Sequence, residues 1–218
     1  MYRLVIFDLD GTLLNTIGDL AAAGNYTLER LGYPTHGEEE YKLFVGNGIP
    51  KLIERMLPKN CGEKEQNAAL EIFGAYYSEH KSDRTVPYDG IKELLRELDS
   101  RGVVAVCNTN KAHEFSQTLI EAAFGGDIRE VLGAGLGYPT KPDPSAAEAL
   151  IKKYGVEKSE VLYVGDSSVD MMTARNAGID ACGVLWGFRS REELESYSPA
   201  FIAQNVSELR KIILGKTG

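Results

Sequence analysis

The chain has 218 residues, 43% apolar and 26% charged, with a net charge of −8 from 32 acids against 24 Lys plus Arg. That length can bury a core without disulfide or metal staples, as one large domain or as a core with a smaller insertion. The acidic balance argues against a nucleic-acid binder with its basic face, and no apolar run approaches the roughly 20 residues that would span a bilayer.

Leu4–Phe7 opens the chain as a short apolar run that stops at Asp8. It reads as a strand buried on both faces and is too short for a signal peptide. From Thr16 to Thr85 no strand pattern is found. Leu20, Leu28 and Leu31, then Leu52, Ile53, Met56 and Leu57, then Leu70, Ile72, Phe73 and Tyr77 look helical, punctuated by Gly32-Tyr33-Pro34, Pro58 and Cys61-Gly62. The simplest division is a helical insertion at 16–85 within a core of 1–15 and 86–218. In that core, Ile91, Leu94, Leu95 and Leu98 recur at helical spacing, followed by a strand at Val103–Cys107 and a shorter one at Val131–Leu132. A helix carrying Ala147, Leu150, Ile151 and Tyr154, strands at Val161–Val164 and Ala181–Leu185, and a helix with Val206, Leu209 and Ile213 complete the pattern. Strand alternating with helix predicts an α/β fold, a parallel sheet covered on both faces. Cys61, Cys107 and Cys182 are odd in number and widely spaced. Neither a disulfide framework nor a structural zinc site is expected, which fits a reducing cytoplasm.

Four polar clusters stand by these strands. Asp8-Leu9-Asp10-Gly11-Thr12 follows the first, where ligands of open α/β sheets bind; two carboxylates there could share a metal or divide nucleophile and acid roles, or simply close an acidic turn. Asn108-Thr109-Asn110-Lys111 follows Val103–Cys107, and its hydroxyl and N–H groups suit either a phosphate at a helix N-terminus or an ordinary N-cap. Lys141, in Thr140-Lys141-Pro142-Asp143-Pro144, is a fixed cation or a solvated surface lysine. Asp166 and Asp170, after Val161–Val164, suit Mg²⁺ or complement a helix macrodipole. Together the clusters supply a nucleophile, a phosphate clamp, a cation and metal ligands.

In order and spacing these clusters resemble the haloacid dehalogenase superfamily of phosphatases. Asp8-x-Asp10-Gly11-Thr12 resembles its first motif, Thr109 its second, Lys141 its third and Gly165-Asp166-x-x-x-Asp170 its fourth. The resemblance covers nearly the whole chain and implies a Rossmann-like core with an inserted α-helical cap domain. A narrower resemblance, to the phosphoglycolate phosphatases, rests on the opening through Asp19-Leu20, on Val45-Gly46-Asn47-Gly48 with Leu52-Ile53-Glu54-Arg55, on Tyr138–Pro144, and on Trp186-Gly187-Phe188-Arg189-Ser190. Asn15 departs from it, since many relatives carry Asp there.

The resemblance implies roles. Asp8 attacks phosphorus, and Asp10 protonates the leaving oxygen and later activates water. Asp8, the Asp10 carbonyl and Asp166 hold Mg²⁺, and Asp170 orients metal-bound water or Lys141. Thr109, the Asn110 N–H and Lys141 clamp the phosphoryl oxygens. Gly46-Asn47-Gly48 is a candidate substrate loop or a plain connecting turn. The partner implied is a small phosphorylated metabolite, with no nucleic acid or membrane, and the chain is a monomer or homodimer. Related enzymes cleave pyrophosphate and sugar or nucleotide phosphates. A β-phosphoglucomutase-like mutase would use the same acids but usually a cap arginine, which Gly46–Lys51 lacks. A phosphonate-cleaving relative could use Lys51 but generally lacks the second aspartate, here Asp10. A non-catalytic phosphometabolite- or partner-binding module would be favoured only if a core motif residue were missing.

Overall fold

The computed structural model describes residues 1–215. In chain order its elements are β1 (Leu4–Phe7), β2 (Leu14–Asn15), α1 (Ile17–Leu31), α2 (Glu38–Phe44), α3 (Ile49–Met56), α4 (Glu63–His80), β3 (Val86–Pro87) and α5 (Ile91–Ser100). There follow β4 (Val104–Ala112), α6 (His113–Phe124), β5 (Val131–Ala134), α7 (Ser145–Tyr154), β6 (Val161–Gly165), α8 (Ser168–Ala177), β7 (Asp180–Val184), α9 (Arg191–Glu195), β8 (Phe201–Ala203) and α10 (Val206–Leu214).

Six parallel strands form one sheet in the order β5-β4-β1-β6-β7-β8. β1 lies between β4 and β6, with Phe7 level with both Cys107 and Val164. Because side chains alternate along a strand, Val5 and Phe7 enter one core with the apolar faces of α5, α6 and α10, while Leu4 and Ile6 enter the other with α7, α8 and α9. All four β1 side chains are fully buried, and truncating one such as Phe7 to Ala costs about 3–5 kcal/mol. The predicted α/β class with helices on both faces is what the sheet shows.

One boundary differs in a way that matters for the site. The sequence pattern ends a strand at Cys107 and starts a helix near Thr109. β4 instead runs to Ala112, with an irregular register between Asn108 and Ala112 against β5, and α6 starts only at His113. Its partner β5 also runs past Leu132, to Ala134, and the two strands pair again at Ala112 and Ala134, beyond their apolar runs.

Between β2 and β3 the chain makes four helices, α1–α4, where the sequence pattern shows three. They share a core of Leu20, Leu28, Tyr41, Leu52, Ile53, Met56, Phe73 and Tyr77 among others. α2 carries no apolar period, because its first turn is Glu38-Glu39-Glu40 and Tyr41 is its one buried residue. On α4 the buried face is Ala69, Phe73 and Tyr77; Leu70 is half-buried against it and Ile72 lies off it. This unit is the inserted cap. Its two connections to the sheet pair as a short antiparallel ribbon, Leu14 with Pro87 and Asn15 with Val86. No helix among the described residues is long and apolar enough to cross a membrane. All three cysteines are free.

Candidate active site

The C-terminal ends of β1, β4 and β6 converge, and each ends in polar residues that the strand pairing carries into the interior. Asp8 extends the ladder, its N–H donating to Val164 O at 2.9 Å. Its carboxylate meets the Lys141 ammonium at 2.8 Å. Lys141 also reaches Asp170 Oδ1 at 2.6 Å, while Asp170 Oδ2 accepts from the Ser167 hydroxyl at 2.6 Å and the Ser167 N–H at 3.1 Å. Both Asp170 oxygens are thereby engaged, and this fully buried carboxylate holds Lys141 in place. Asp166 Oδ2 accepts from the Phe188 N–H at 2.7 Å.

One carboxylate oxygen from each of Asp8, Asp166 and Asp170 lies within 4.8 Å of the others. Burial pushes the Asp8 carboxyl up to about 7, opposed by Lys141 and reinforced by Asp170. Burial, then repulsion from Asp170 and Asp8, lifts Asp166 well above the usual carboxylate range. Burial opposes the Lys141 charge, but Asp170 and Asp8 outweigh it and hold the ammonium above the usual lysine range. Three buried carboxylates are thus answered by one ammonium, and a divalent cation would fill that deficit. The donors are all oxygen, the set that suits Mg²⁺. Gly11 keeps this cluster compact: its φ is +83°, and a Cβ there would sit 2.2 Å from Asp166 Oδ2.

Asp10 stands beside this group in different company. Thr16 Oγ1 donates to its Oδ1 at 2.7 Å, and Lys111 Nζ reaches its two oxygens at 2.9 and 3.2 Å. Lys111 is buried and lies 4.9 Å from the centre of the Tyr77 ring of α4. Burial opposes its charge, but Asp10 and then Tyr77 keep it above the usual lysine range. Thr109 is buried next to it, its Oγ1 accepting from the Lys111 N–H at 3.2 Å, which leaves the hydroxyl hydrogen to donate elsewhere.

The cap covers the site. Gly46 and Gly48, with φ of 117° and 84°, form the turn between α2 and α3. Core side chains hold its carbonyls: Asn110 Nδ2 donates to Gly46 O at 3.1 Å, and Arg189 donates to Lys42 O and, at 2.7 Å, to Val45 O. Gly46, Gly48, Ile49 and Leu52 of the cap meet Asp8, Asp10, Thr109 and Lys111 of the core around a cavity of about 30 Å³. That is room for a water molecule or so.

A model of the haloacid dehalogenase-like hydrolases matches residues 5–184. The chain belongs to the haloacid dehalogenase-like hydrolases. Two relatives named phosphoglycolate phosphatase are similar over nearly all of it. The one from Vibrio parahaemolyticus is 34% identical, covering 97% of this chain and 96% of its own. The one from Pseudomonas syringae pv. tomato is 36% identical, covering 98% of this chain and 79% of its own. A crystal structure from Lactobacillus delbrueckii subsp. bulgaricus superposes with a TM-score of 0.94 at 33% identity, covering 99% of both chains.

In this haloacid dehalogenase-like hydrolase, Asp8, Asp10, Thr109, Lys141, Asp166 and Asp170 come together where the sequence reading grouped them. Two residues differ in detail. The Asn110 side chain, expected to matter only through its N–H, braces Lys141 by accepting from its N–H at 2.7 Å and reaches across to Gly46. The Asn47 side chain is held outside by Arg55, 2.8 Å from Asn47 Oδ1, and does not line the cavity. The sequence pattern did not mark Lys111, Thr16 or Arg189 as contributors to the site. Lys111 carried a usable signal: in an extended segment residues two apart share a face, so a strand prolonged past Cys107 pairs it with Thr109.

Proposed function

We propose that this hydrolase is a Mg²⁺-dependent phosphatase of 2-phosphoglycolate that works through a phosphorylated Asp8. The observation that carries the reading is the Asp8–Lys141 pair at 2.8 Å, set among buried carboxylates, with Asp8 on the same cavity as the Gly46–Gly48 turn. The names of the full-length relatives support the substrate.

An Asp8 oxygen attacks phosphorus and the bond from phosphorus to the glycolate oxygen breaks, while Asp10 gives that oxygen its proton. A water molecule then attacks phosphorus and passes its proton to Asp10; the Asp8–phosphorus bond breaks and inorganic phosphate leaves. Lys141, the Thr109 hydroxyl and the Asn110 N–H hold the phosphoryl oxygens as charge builds on them. Asp170 and Ser167 keep Lys141 aimed. Asp8, Asp166 and the Asp10 carbonyl would hold Mg²⁺, which when bound would draw the anionic ester into this acidic site and neutralise charge on the phosphoryl group. The cap spans 16–85 and moves on the core, 1–15 and 86–218, about the β2–β3 ribbon. Its opening admits substrate to a cavity otherwise too small, and its closure excludes water. Gly46 and Gly48, which line the cavity, offer backbone N–H groups to the leaving group.

The test is kcat/KM with Mg²⁺ on 2-phosphoglycolate, pyrophosphate, a hexose phosphate, a nucleoside monophosphate and phosphonoacetaldehyde. The reading expects 2-phosphoglycolate to lead by about a hundredfold, roughly 2.7 kcal/mol of transition-state discrimination. A flat or inverted profile would discard that substrate.

A further inference from the structure

Resting on the reading that the substrate is a small carboxylate-bearing phosphate ester, we propose that Lys111 is the residue that receives the leaving group's carboxylate. The cavity bounded by Asp8, Asp10 and Thr109 has one cationic side chain on its wall among the described residues, and that is Lys111. The other nearby cations are engaged elsewhere. Lys141 is bound between Asp8 and Asp170. Arg55 reaches Phe44 O and Asn47 Oδ1 from the exposed side of the cap turn. Arg189 is spent on the Lys42 and Val45 carbonyls. Lys51, on the next helix, pairs with Glu54 at 2.6 Å in solvent.

The position fits the task. An ammonium has three N–H donors. Asp10 occupies one side of the Lys111 ammonium and the Tyr77 ring another, which fixes the head without exhausting it. The side chain is 3% exposed, so a carboxylate reaching it meets a charge little screened by water. Thr109, the proposed phosphoryl contact, is two residues away on β4 and lines the same cavity. An ester with its phosphoryl group at Thr109 and a carboxylate one oxygen and one methylene away therefore presents that carboxylate within the cavity that Lys111 lines. The arrangement sets the bridging oxygen against Asp10, its proton donor, and the carboxylate against Lys111.

The experiment compares kcat/KM for 2-phosphoglycolate with that for ethyl phosphate, which replaces the carboxylate by a methyl group, in wild type, Lys111→Met and Lys111→Gln. Any disturbance of Asp10 acts on both esters and cancels in the ratio. Wild type should prefer the carboxylate ester, and the preference should fall by between about tenfold and a hundredfold in Lys111→Met, the usual span for a lost hydrogen bond to a charged group. Lys111→Gln keeps an N–H for Asp10 and guards against a folding defect, which a thermal melt detects; its ratio should fall as well. A preference that survives in the variants while both rates drop together would overturn the assignment and leave the substrate reading intact. A wild-type enzyme with no preference would overturn the substrate reading, and this assignment with it.

Discussion

Asp19, on the first turn of α1, ties the start of the cap to its end. Its carboxylate is 2% exposed and accepts from the Arg84 N–H at 3.0 and 3.1 Å, the Thr85 N–H at 2.9 Å and the Thr85 hydroxyl at 2.7 Å. These donors lie just before β3, so the contact clamps the return connection onto the outgoing one. In Asp19→Ala, two main-chain N–H groups and a hydroxyl lose a charged acceptor. Water reaches the exposed Arg84 side of this contact, so the cost falls toward the lower end of about 1–3 kcal/mol per unsatisfied group, or about 2–4 kcal/mol together. For a chain of this size each kcal/mol lowers Tm by about 2–4 °C. The expected shift is therefore about 5–15 °C downward in a calorimetric melt at neutral pH. Asp19→Asn, which keeps one acceptor oxygen but turns an NH₂ toward main-chain donors, should fall in between. A shift below about 2 °C for the alanine variant would refute the clamp.

Other consequences are as direct. Gly11→Ala places a methyl 2.2 Å from Asp166 Oδ2 at a φ of +83°; kcat should drop by at least about a hundredfold, since misplacement of this order near the chemistry carries that cost, and a kcat within threefold of wild type would contradict the packing. Arg189→Ala releases the cap turn from the core and should raise KM for the substrate by about tenfold, roughly one charged hydrogen bond; an unchanged KM would mean the contact does not hold the cap. Asp166→Ala should raise the Mg²⁺ concentration needed for half-maximal rate, and an unchanged titration would remove Asp166 from the metal site. Metal-free, the Asp8 carboxyl sits at about 7, above its unfolded value. Its protonated form therefore favours the folded state at low pH, and that contribution is lost as pH rises through 7. Mg²⁺ competes with the same proton, so the rise in Tm on adding Mg²⁺ should be larger at pH 8 than at pH 5.5. An equal or reversed difference would contradict the assignment.

The catalytic cluster was legible because of where such residues fall. Asp8 follows directly on the buried apolar run Leu4–Phe7 and Asp166 comes two residues after Val161–Val164, and parallel pairing of β1 with β6 makes adjacency in the sheet follow from adjacency to a strand end. The helical insertion was legible from its lack of strands. Contacts between cap and core were not. Arg189 and Lys42 lie 147 residues apart, and their bond runs through a main-chain carbonyl that no side-chain pattern marks. Lys111 is hidden because Asn108–Lys111 is polar, and an apolar pattern ends the strand at Cys107. β8, at three residues, is too short to show a period.

In the proposed mechanism Asp8 carries the phosphoryl group. Wild-type enzyme turning over 2-phosphoglycolate with Mg²⁺ should be quenched in borohydride, which reduces an acyl phosphate to the alcohol, and its peptides examined by mass spectrometry. Homoserine is expected at position 8, dependent on both substrate and Mg²⁺, with no turnover by a folded Asp8→Asn variant. Turnover by Asp8→Asn at an appreciable rate, or reduction at a different carboxylate, would contradict it.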